Sequence, residues 1–131
     1  MKALFNGIYN HFNTANDFKT GVSSRLYLGY APQDTPYPYS VYNLDSLVPD
    51  FNFSSTYEEG IVLFNIFSDK ESHAEITTIY GYLDDLFDDC VITVTGYKRV
   101  KFQREFAFLS RDIEEGVWQY DVQYRVILRK N

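Results

Sequence analysis

The sequence predicts an α+β fold: a mostly antiparallel sheet of about five strands with two helices packed on one face. Apolar and polar residues alternate over 118–128, which predicts a long strand with one packed face and one wet face. Apolar residues recur at three- and four-residue spacing over 76–87, which predicts an amphipathic helix. Aromatic residues make up 18% of the chain and favour a β-rich protein over a small helical bundle.

The first half of the chain is expected to hold one helix and three strands. A helix is predicted over 2–19 because apolar residues recur there at helical spacing. That stripe consists of Leu4, Ile8, Phe12 and Ala15. Strands are predicted over 25–30 and 40–44, on either side of a segment that three prolines keep irregular. Residues 45–58 show no period and predict a long loop, whereas the apolar run over 61–67 is typical of a central strand covered on both faces.

The second half is expected to contain the helix at 76–87 and a closing hairpin. Two S-x-x-E patterns ahead of this helix, which begin at Ser68 and Ser72, match the capping box of a helix start. A short strand is predicted over 91–94. Counting alternate residues then assigns one packed face to the hairpin, with Arg104 as an exception. That face consists of Val100, Phe102, Phe106, Phe108, Trp118, Tyr120, Val122, Tyr124, Val126 and Leu128.

Length and charge limit the classes of function. A chain of 131 residues without a repeat or linker predicts a single domain over 1–131. Its net charge of −6 repels phosphate backbones and argues against a nucleic-acid-binding domain. One cysteine cannot form an internal disulfide. No apolar run reaches the roughly 20 residues of a membrane span, and no signal-peptide pattern opens the chain, so an intracellular location is expected.

Sequence patterns for catalysis or metal binding are not found. His11, His73 and Cys90 lack the spacing of a zinc site, and there is no nucleophile elbow, phosphate-binding loop or dinucleotide fingerprint. Cys90 precedes an apolar strand and is expected to be a small buried hydrophobe rather than a nucleophile. We therefore expect no cofactor, no metal ligand and no catalytic residue.

A cluster of aspartates breaks a local rule at the end of the helix predicted over 76–87, where the helix dipole favours cations. The cluster consists of Asp84, Asp85, Asp88 and Asp89. These residues also form like-charge pairs four positions apart. Three interpretations stay open: a solvated helix end, a contact with a basic partner, and a divalent-ion site. An enzyme using paired carboxylates has less support, because no His, Lys or Ser clusters nearby in the sequence.

Two further surfaces have open interpretations. The loop predicted over 45–58 carries apolar residues that are either tucked under the domain or covered by a neighbour. They are Leu47, Val48, Phe51, Phe53 and Tyr57. The wet face of the last hairpin is polar and mixed in sign, so it either faces solvent or contacts another subunit. Its charged residues are Arg99, Lys101, Glu105, Asp121, Arg125 and Arg129.

A specific motif lies between the first two predicted strands: Tyr30-Ala31-Pro32-Gln33, followed by Pro36-Tyr37-Pro38-Tyr39. It stands after a helix and before an apolar strand that ends in Ile66-Phe67-Ser68, a second helix and a closing hairpin. Over nearly the whole chain, this order resembles the small tail-completion proteins of long-tailed bacteriophages. These proteins are also called tail terminators or tail-to-head joining proteins.

The resemblance implies a structural role without catalysis. Such proteins form six-subunit rings that cap the tail tube, stop its polymerisation and present a surface to the head connector, while DNA passes through the lumen. The implied partners are copies of the chain itself, the tail tube protein and the head-tail connector protein, with no specific DNA binding and no membrane. The implied location is the neck of the virion, and the host cytoplasm during assembly.

A head-to-tail ring needs two different complementary patches on each subunit. Three candidates follow: the long loop with Leu47, Val48, Phe51 and Phe53; the aromatic turn with Tyr37 and Tyr39; and the acidic helix end with Asp84, Asp85, Asp88 and Asp89. Three alternatives to a tail terminator also follow: a head-completion or connector adaptor, a small metal-dependent enzyme using the four aspartates, and a protein-binding module unrelated to viruses.

Overall fold

A computed structural model describes residues 2–49 and 57–131, with the side chains of residues 46–49 outside that description. The predicted α+β class is confirmed, but the described residues form six strands rather than about five and three helices rather than two. In chain order the elements are α1 (Lys2–Phe12), α2 (Asp17–Gly21), β1 (Leu26–Leu28), β2 (Tyr39–Pro49), β3 (Tyr57–Ser68), α3 (Ala74–Phe87), β4 (Val91–Ile92), β5 (Tyr97–Asp112) and β6 (Val117–Lys130).

The six strands form one sheet in the order β1-β2-β3-β6-β5-β4. β1 runs parallel to β2, and all the other neighbouring pairs are antiparallel, as predicted. β3 and β6 therefore occupy the centre. β4 pairs only with Val100 and Lys101 of β5, so most of β5 has a strand partner on one side alone among the described residues.

The hydrophobic core lies between one face of the sheet and the helices. On β6 the packed face is confirmed, since Val122, Tyr124, Val126 and Leu128 are fully buried. Leu4, Ile8 and Phe12 of α1 and Ile76, Leu83 and Phe87 of α3 pack into the same cluster as these strand residues. Burying each such side chain stabilises the fold by about 1.5–3 kcal/mol. The opposite face of the sheet carries no helix of this cluster and is half-exposed.

The single helix predicted over 2–19 is in fact two helices, because the chain turns after Phe12. Asn16 closes the break from both sides: its Nδ2 donates to the carbonyl oxygen of Phe12 at 2.8 Å. Its Oδ1 accepts the backbone N–H of Lys19 at 2.8 Å and thereby caps α2. Asparagine favours such caps over helix interiors. Ala15, which belongs to the predicted stripe, lies in the break.

The described residues of the loop predicted over 45–58 are strand, with 45–49 in β2 and 57–58 in β3, so that prediction was wrong for them. Leu47 and Val48 lie in β2 and pair with residues of β3. A register shift at Asp45 interrupts the alternation of β2, so the residues on either side of it do not follow one period-two pattern. Residues 50–56, which include Phe51 and Phe53, lie outside the described residues.

A β-bulge at Glu105 overturns part of the predicted hairpin pattern. The register of β5 against β6 shifts there, so that Phe106 pairs with Gln123 of the wet face. An extra residue in one strand moves every later side chain to the other face. Phe106 and Phe108, predicted to be packed, are accordingly each 54% exposed.

Two smaller predictions also change. β3 alternates between buried and half-buried residues, so the strand predicted over 61–67 is central but is covered on one face only. The predicted capping boxes do not cap α3, whose N-cap is His73 without a side-chain cap hydrogen bond. Ser68 instead donates to Glu75 Oε1 at 2.7 Å, which ties the end of β3 to the first turn of α3.

Candidate interaction surfaces

Asp84 links the last turn of α3 to the sheet. Its Oδ2 accepts from Arg104 Nη1 at 2.9 Å, and its Oδ1 accepts from the Tyr124 hydroxyl at 3.1 Å. Arg104 also donates to the hydroxyl of Tyr80. Burial raises the pKa of Asp84, although Tyr124 and Arg104 act in the opposite direction. Asp84 in turn raises the pKa of Arg104, because its negative charge stabilises the guanidinium.

The remaining aspartates at this helix end are also arranged around β5. Asp88 Oδ1 accepts the backbone N–H of Arg104 at 2.8 Å, and Asp89 Oδ1 lies 3.0 Å from Lys101 Nζ. Asp85 is exposed. Three of the four carboxylates thus bind groups of the chain itself, which offsets the unfavourable charge at the helix end. Within 2–49 and 57–131, no group of three or more His, Cys, Asp or Glu residues is placed to hold a metal ion.

Tyr37 and Tyr39 line an open groove of about 550 Å³ beside β1 and β2. The rings of Tyr37 and Tyr39 lie 5.3 Å apart, and the ring of Phe67 stacks 5.0 Å from that of Tyr39. Burial raises the pKa of Tyr39. Tyr30 is 79% exposed. We call this site the tyrosine groove; its lining includes Tyr30, Tyr37, Tyr39, Val41, Asn65 and Phe67.

A polar network occupies the middle of the sheet face opposite the helices. Asp121 Oδ1 accepts hydrogen bonds from Asn65 Nδ2 and, at 2.7 Å, from Gln119 Nε2. Nearer β5, Gln123 Nε2 donates to Glu105 Oε1 at 3.3 Å. These side chains form hydrogen bonds with one another, so the middle of this face is polar rather than apolar.

An aromatic pair stands at the β5 side of the same face. The rings of Phe106 and Phe108 are nearly parallel, with centroids 6.4 Å apart and an interplanar angle of 6°. Sequence reasoning missed this exposed pair because period-two counting assumed an unbroken strand. The available signal was Arg104, the charged exception in the predicted packed face, which stands next to the bulge.

The sequence-predicted candidates do not converge on one site. Tyr37 and Tyr39 lie beside β1 and β2, whereas the aspartates lie at the end of α3 against β5. Leu47 and Val48 belong to β2, and Phe51 and Phe53 lie outside the described residues. The tyrosine groove and the Phe106–Phe108 pair are two places where exposed aromatic side chains lie close together and are available for contacts. None of the helices in the described part of the chain has the length and apolar character to cross a membrane.

No protein-family model matches the sequence, and no curated protein matches it. Solved structures do match, in 27 chains. One of them superposes with a TM-score of 0.80 at 12% sequence identity, over 95% of this chain and 92% of that chain. It belongs to the virion of a native gene transfer agent particle. The two chains share a fold.

A second solved structure supports the same conclusion over the full length. This protein, which carries a sequence identifier rather than a functional name, matches with a TM-score of 0.62 at 12% identity. The match covers 99% of this chain and 96% of that chain. The fold is therefore one that other whole chains adopt with almost no sequence in common.

Proposed function

We propose that this chain is a structural protein of a phage-type virion and forms a six-subunit ring at the head-proximal end of a tail tube. There it ends tube polymerisation and joins the tail to the head connector. The supporting observation is the shared fold, over nearly all of both chains, with a component of the virion of a gene transfer agent, which is a phage-like particle. The partners are copies of itself, the tail tube protein and the connector protein.

The charge distribution supports a ring with two different ends. At one end of the sheet, Arg99 pairs with Arg129 in register, and both line a small cleft with Lys101. At the other end, Asp112 leads into the turn that carries Glu114 and Glu115. At the first end Asp89 and Glu58 pair with Lys101 and Lys130, so Arg99 and Arg129 are the cations that distinguish it from the acidic turn at the other end. Such a difference suits a protein that binds a different partner on each side. The net charge of −6 suits a lumen through which DNA passes without binding.

The interface residues of such a ring are proposals as well. Tyr37 and Tyr39 are available in the tyrosine groove, and Leu47, Val48, Phe51 and Phe53 belong to or adjoin β2. Asp85 is exposed at the acidic helix end, and its carboxylate makes none of the hydrogen bonds or ion pairs described above. Asp84, Asp88 and Asp89 hold β5 and act on the interface by fixing that strand.

A metal-dependent enzyme built on the four aspartates is the alternative from another class. The bonds of Asp84, Asp88 and Asp89 to Arg104 and Lys101 favour the structural role, since they occupy the carboxylates that a metal would need. Adding Mg²⁺, Ca²⁺ or Mn²⁺ should leave the melting temperature unchanged, both for the wild type and for a variant with all four aspartates replaced by asparagine. A metal-dependent rise confined to the wild type would support the enzyme.

A binding experiment separates the tail terminator from the connector adaptor. Purified chain is mixed in turn with tail tubes and with the connector complex of the particle that carries it, and the products are imaged by electron microscopy. The tail terminator predicts rings at one end of each tube and tubes of arrested length. Binding to the connector with no effect on tubes would instead indicate the adaptor. Absence of binding to both would contradict the proposal.

A further inference from the structure

Two aromatic patches lie on opposite sides of the sheet face that the helices leave open. One is the tyrosine groove beside β1 and β2, whose lining also includes the polar residues Gln33, Asp34 and Thr35. The other, which we call the β5 edge, consists of Phe106, Phe108 and the strand backbone from Phe106 to Asp112. Between them lies the polar network around Asp121. A subunit with different patches on two edges is suited to head-to-tail association, in which each copy uses one patch of its neighbour.

The β5 edge has the properties of a docking strand. Beyond Arg104, whose backbone N–H binds Asp88, no described strand pairs with its outer side. A strand edge of this kind presents free backbone N–H and C=O groups to another chain. The rings of Phe106 and Phe108 are parallel and each 54% exposed, so together they form one exposed aromatic surface.

The tyrosine groove is chemically matched to this edge. Tyr30, Tyr37, Tyr39 and Phe67 offer aromatic surface, and a groove of about 550 Å³ lies within the size range of ordinary binding clefts. Aromatic rings pair favourably with one another in offset or edge-to-face geometry. The exposed parts of the rings on either side supply roughly a third of the about 800 Å² per partner in a standard interface. One contact is therefore weak, but in a closed ring each copy makes it twice.

The strand register places Phe108 at the level of the tyrosine groove. Phe108 pairs with Asp121, Asp121 with Asn65, and Asn65 with Val41 in the groove lining. Two neighbouring copies can thus be related by a rotation about an axis parallel to the strands, with no translation along that axis, when the β5 edge of one meets the groove of the other. Such a rotation closes into a ring, whereas a rise would give a filament.

We propose that the β5 edge of one copy docks in the tyrosine groove of the next, with Phe106 and Phe108 packed against the exposed faces of Tyr30 and Tyr37. The occupant of the groove is thus a second copy of this chain. This inference rests on the proposed ring and assigns its subunit contact. This contact is distinct from the acidic helix end, whose aspartates bind Arg104 and Lys101 of β5 within the same copy.

Paired variants test this assignment. The edge variant carries Phe106→Ser and Phe108→Ser, and the groove variant carries Tyr30→Ser and Tyr37→Ser. Val91→Ser is the matched control, because Val91 is an apolar residue of β4, 51% exposed, outside both patches. Native mass spectrometry measures the assembly of each protein, after circular dichroism has confirmed its fold. We expect rings for the wild type and the control, and monomers for each variant alone.

The mixture of the two variants gives the sharpest result. Each retains the half that the other lacks, so the largest species expected is a one-to-one complex held by a single contact, which forms at high protein concentration. Rings from either variant alone would overturn this inference and leave the proposed function standing. Dimers of the groove variant would indicate that two β5 edges pair with each other, which also overturns it. A wild type that stays monomeric with and without tail tubes would overturn both.

A cross-linking measurement covers the case in which a serine variant fails to fold. Phe108→Cys and Tyr37→Cys are introduced into separate copies that both carry Cys90→Ala, and a short bifunctional maleimide joins neighbouring thiols. Cross-linked dimers are expected from the mixture, and little from either protein alone. Equal cross-linking in all three samples, or none in assembled rings, would overturn the assignment.

Discussion

The hydroxyl of Tyr124, buried at the centre of β6, donates to Asp84 Oδ1 in the last turn of α3 at 3.1 Å. Burial strongly raises the pKa of this tyrosine, so it remains a neutral donor. The bond connects the core to a carboxylate that also holds Arg104 beside the bulge of β5. The end of α3 is therefore linked, through one hydrogen-bond network, both to the core and to the part of β5 next to its exposed edge.

Removing the Tyr124 hydroxyl alone should weaken this hydrogen-bond network. We expect Tyr124→Phe to lower the free energy of unfolding by about 1.5–3 kcal/mol, since the bond lost is one to a carboxylate. Tyr124→Ala should cost about 3–5 kcal/mol, because it also leaves a cavity in the core. Gln123→Ala, on the wet face of the same strand, should be nearly silent in the monomer. Urea denaturation measures the free energy of unfolding of all three variants. Equal losses for Tyr124→Phe and Gln123→Ala would contradict the hydrogen bond between Tyr124 and Asp84.

Two glycines provide a matched pair on helices. A Cβ on Gly81 of α3 would meet nothing within 4 Å, so Gly81→Ala should stabilise by about 0.5–1 kcal/mol through helix propensity. A Cβ on Gly7 of α1 would lie 2.7 Å from Val94 Cγ2 and 2.9 Å from the Thr93 carbonyl oxygen. Gly7→Ala should therefore destabilise despite the same gain. Thermal unfolding measures the sign of each change, and stabilisation by both would contradict the close packing of α1 on Thr93 and Val94, which follow β4.

The pH dependence of stability tests the burial of Asp84. Burial raises its pKa above 3.8, so the folded chain retains this proton to a higher pH than the unfolded chain does. The folded state then binds more protons in that range, and the contribution of Asp84 to the free energy of unfolding falls as the pH rises. The wild type should therefore lose stability relative to Asp84→Asn as the pH rises from below 3.8. A relative gain would show that the ion pair with Arg104 dominates.

The reactivity of Cys90 tests its packing. Burial raises the pKa of this thiol to about 11, so little thiolate forms near neutral pH. Alkylation by iodoacetamide at pH 8 should be at least about a hundredfold slower in the native chain than in urea, and should accelerate toward pH 11. The same fast rate in both states would mean that the thiol is free and reactive.

The fold class could be predicted from sequence because it depends on local periodicity. The alternation of β6 and the stripe of α3 each lie within one uninterrupted element, and both were confirmed. The prediction for β5 failed after Glu105 because a bulge adds one residue to the strand. Beyond it both faces of β5 carry apolar residues, Phe106 and Phe108 on one and Ala107 and Leu109 on the other, so alternation alone does not show which face is packed. The loop predicted over 45–58 failed for a related reason, the register shift at Asp45.

The candidate site was less accessible to sequence reasoning because its contacts are distant along the chain. Asp84 and Arg104 are 20 residues apart, and Tyr124 is 40 residues from Asp84. The four aspartates therefore looked uncompensated, although cations of β5 lie beside them. The tyrosine motif could be recognised because it is local, but the Phe106–Phe108 pair that we match to it became visible only with the strand register.

Native mass spectrometry of the purified chain, combined with electron microscopy of the same sample, tests the central claim most directly. The account predicts closed rings of six 15.4 kDa subunits, with monomers as the other main species because each contact is weak. A chain that remains monomeric at every concentration, and in the presence of tail tubes, would contradict it.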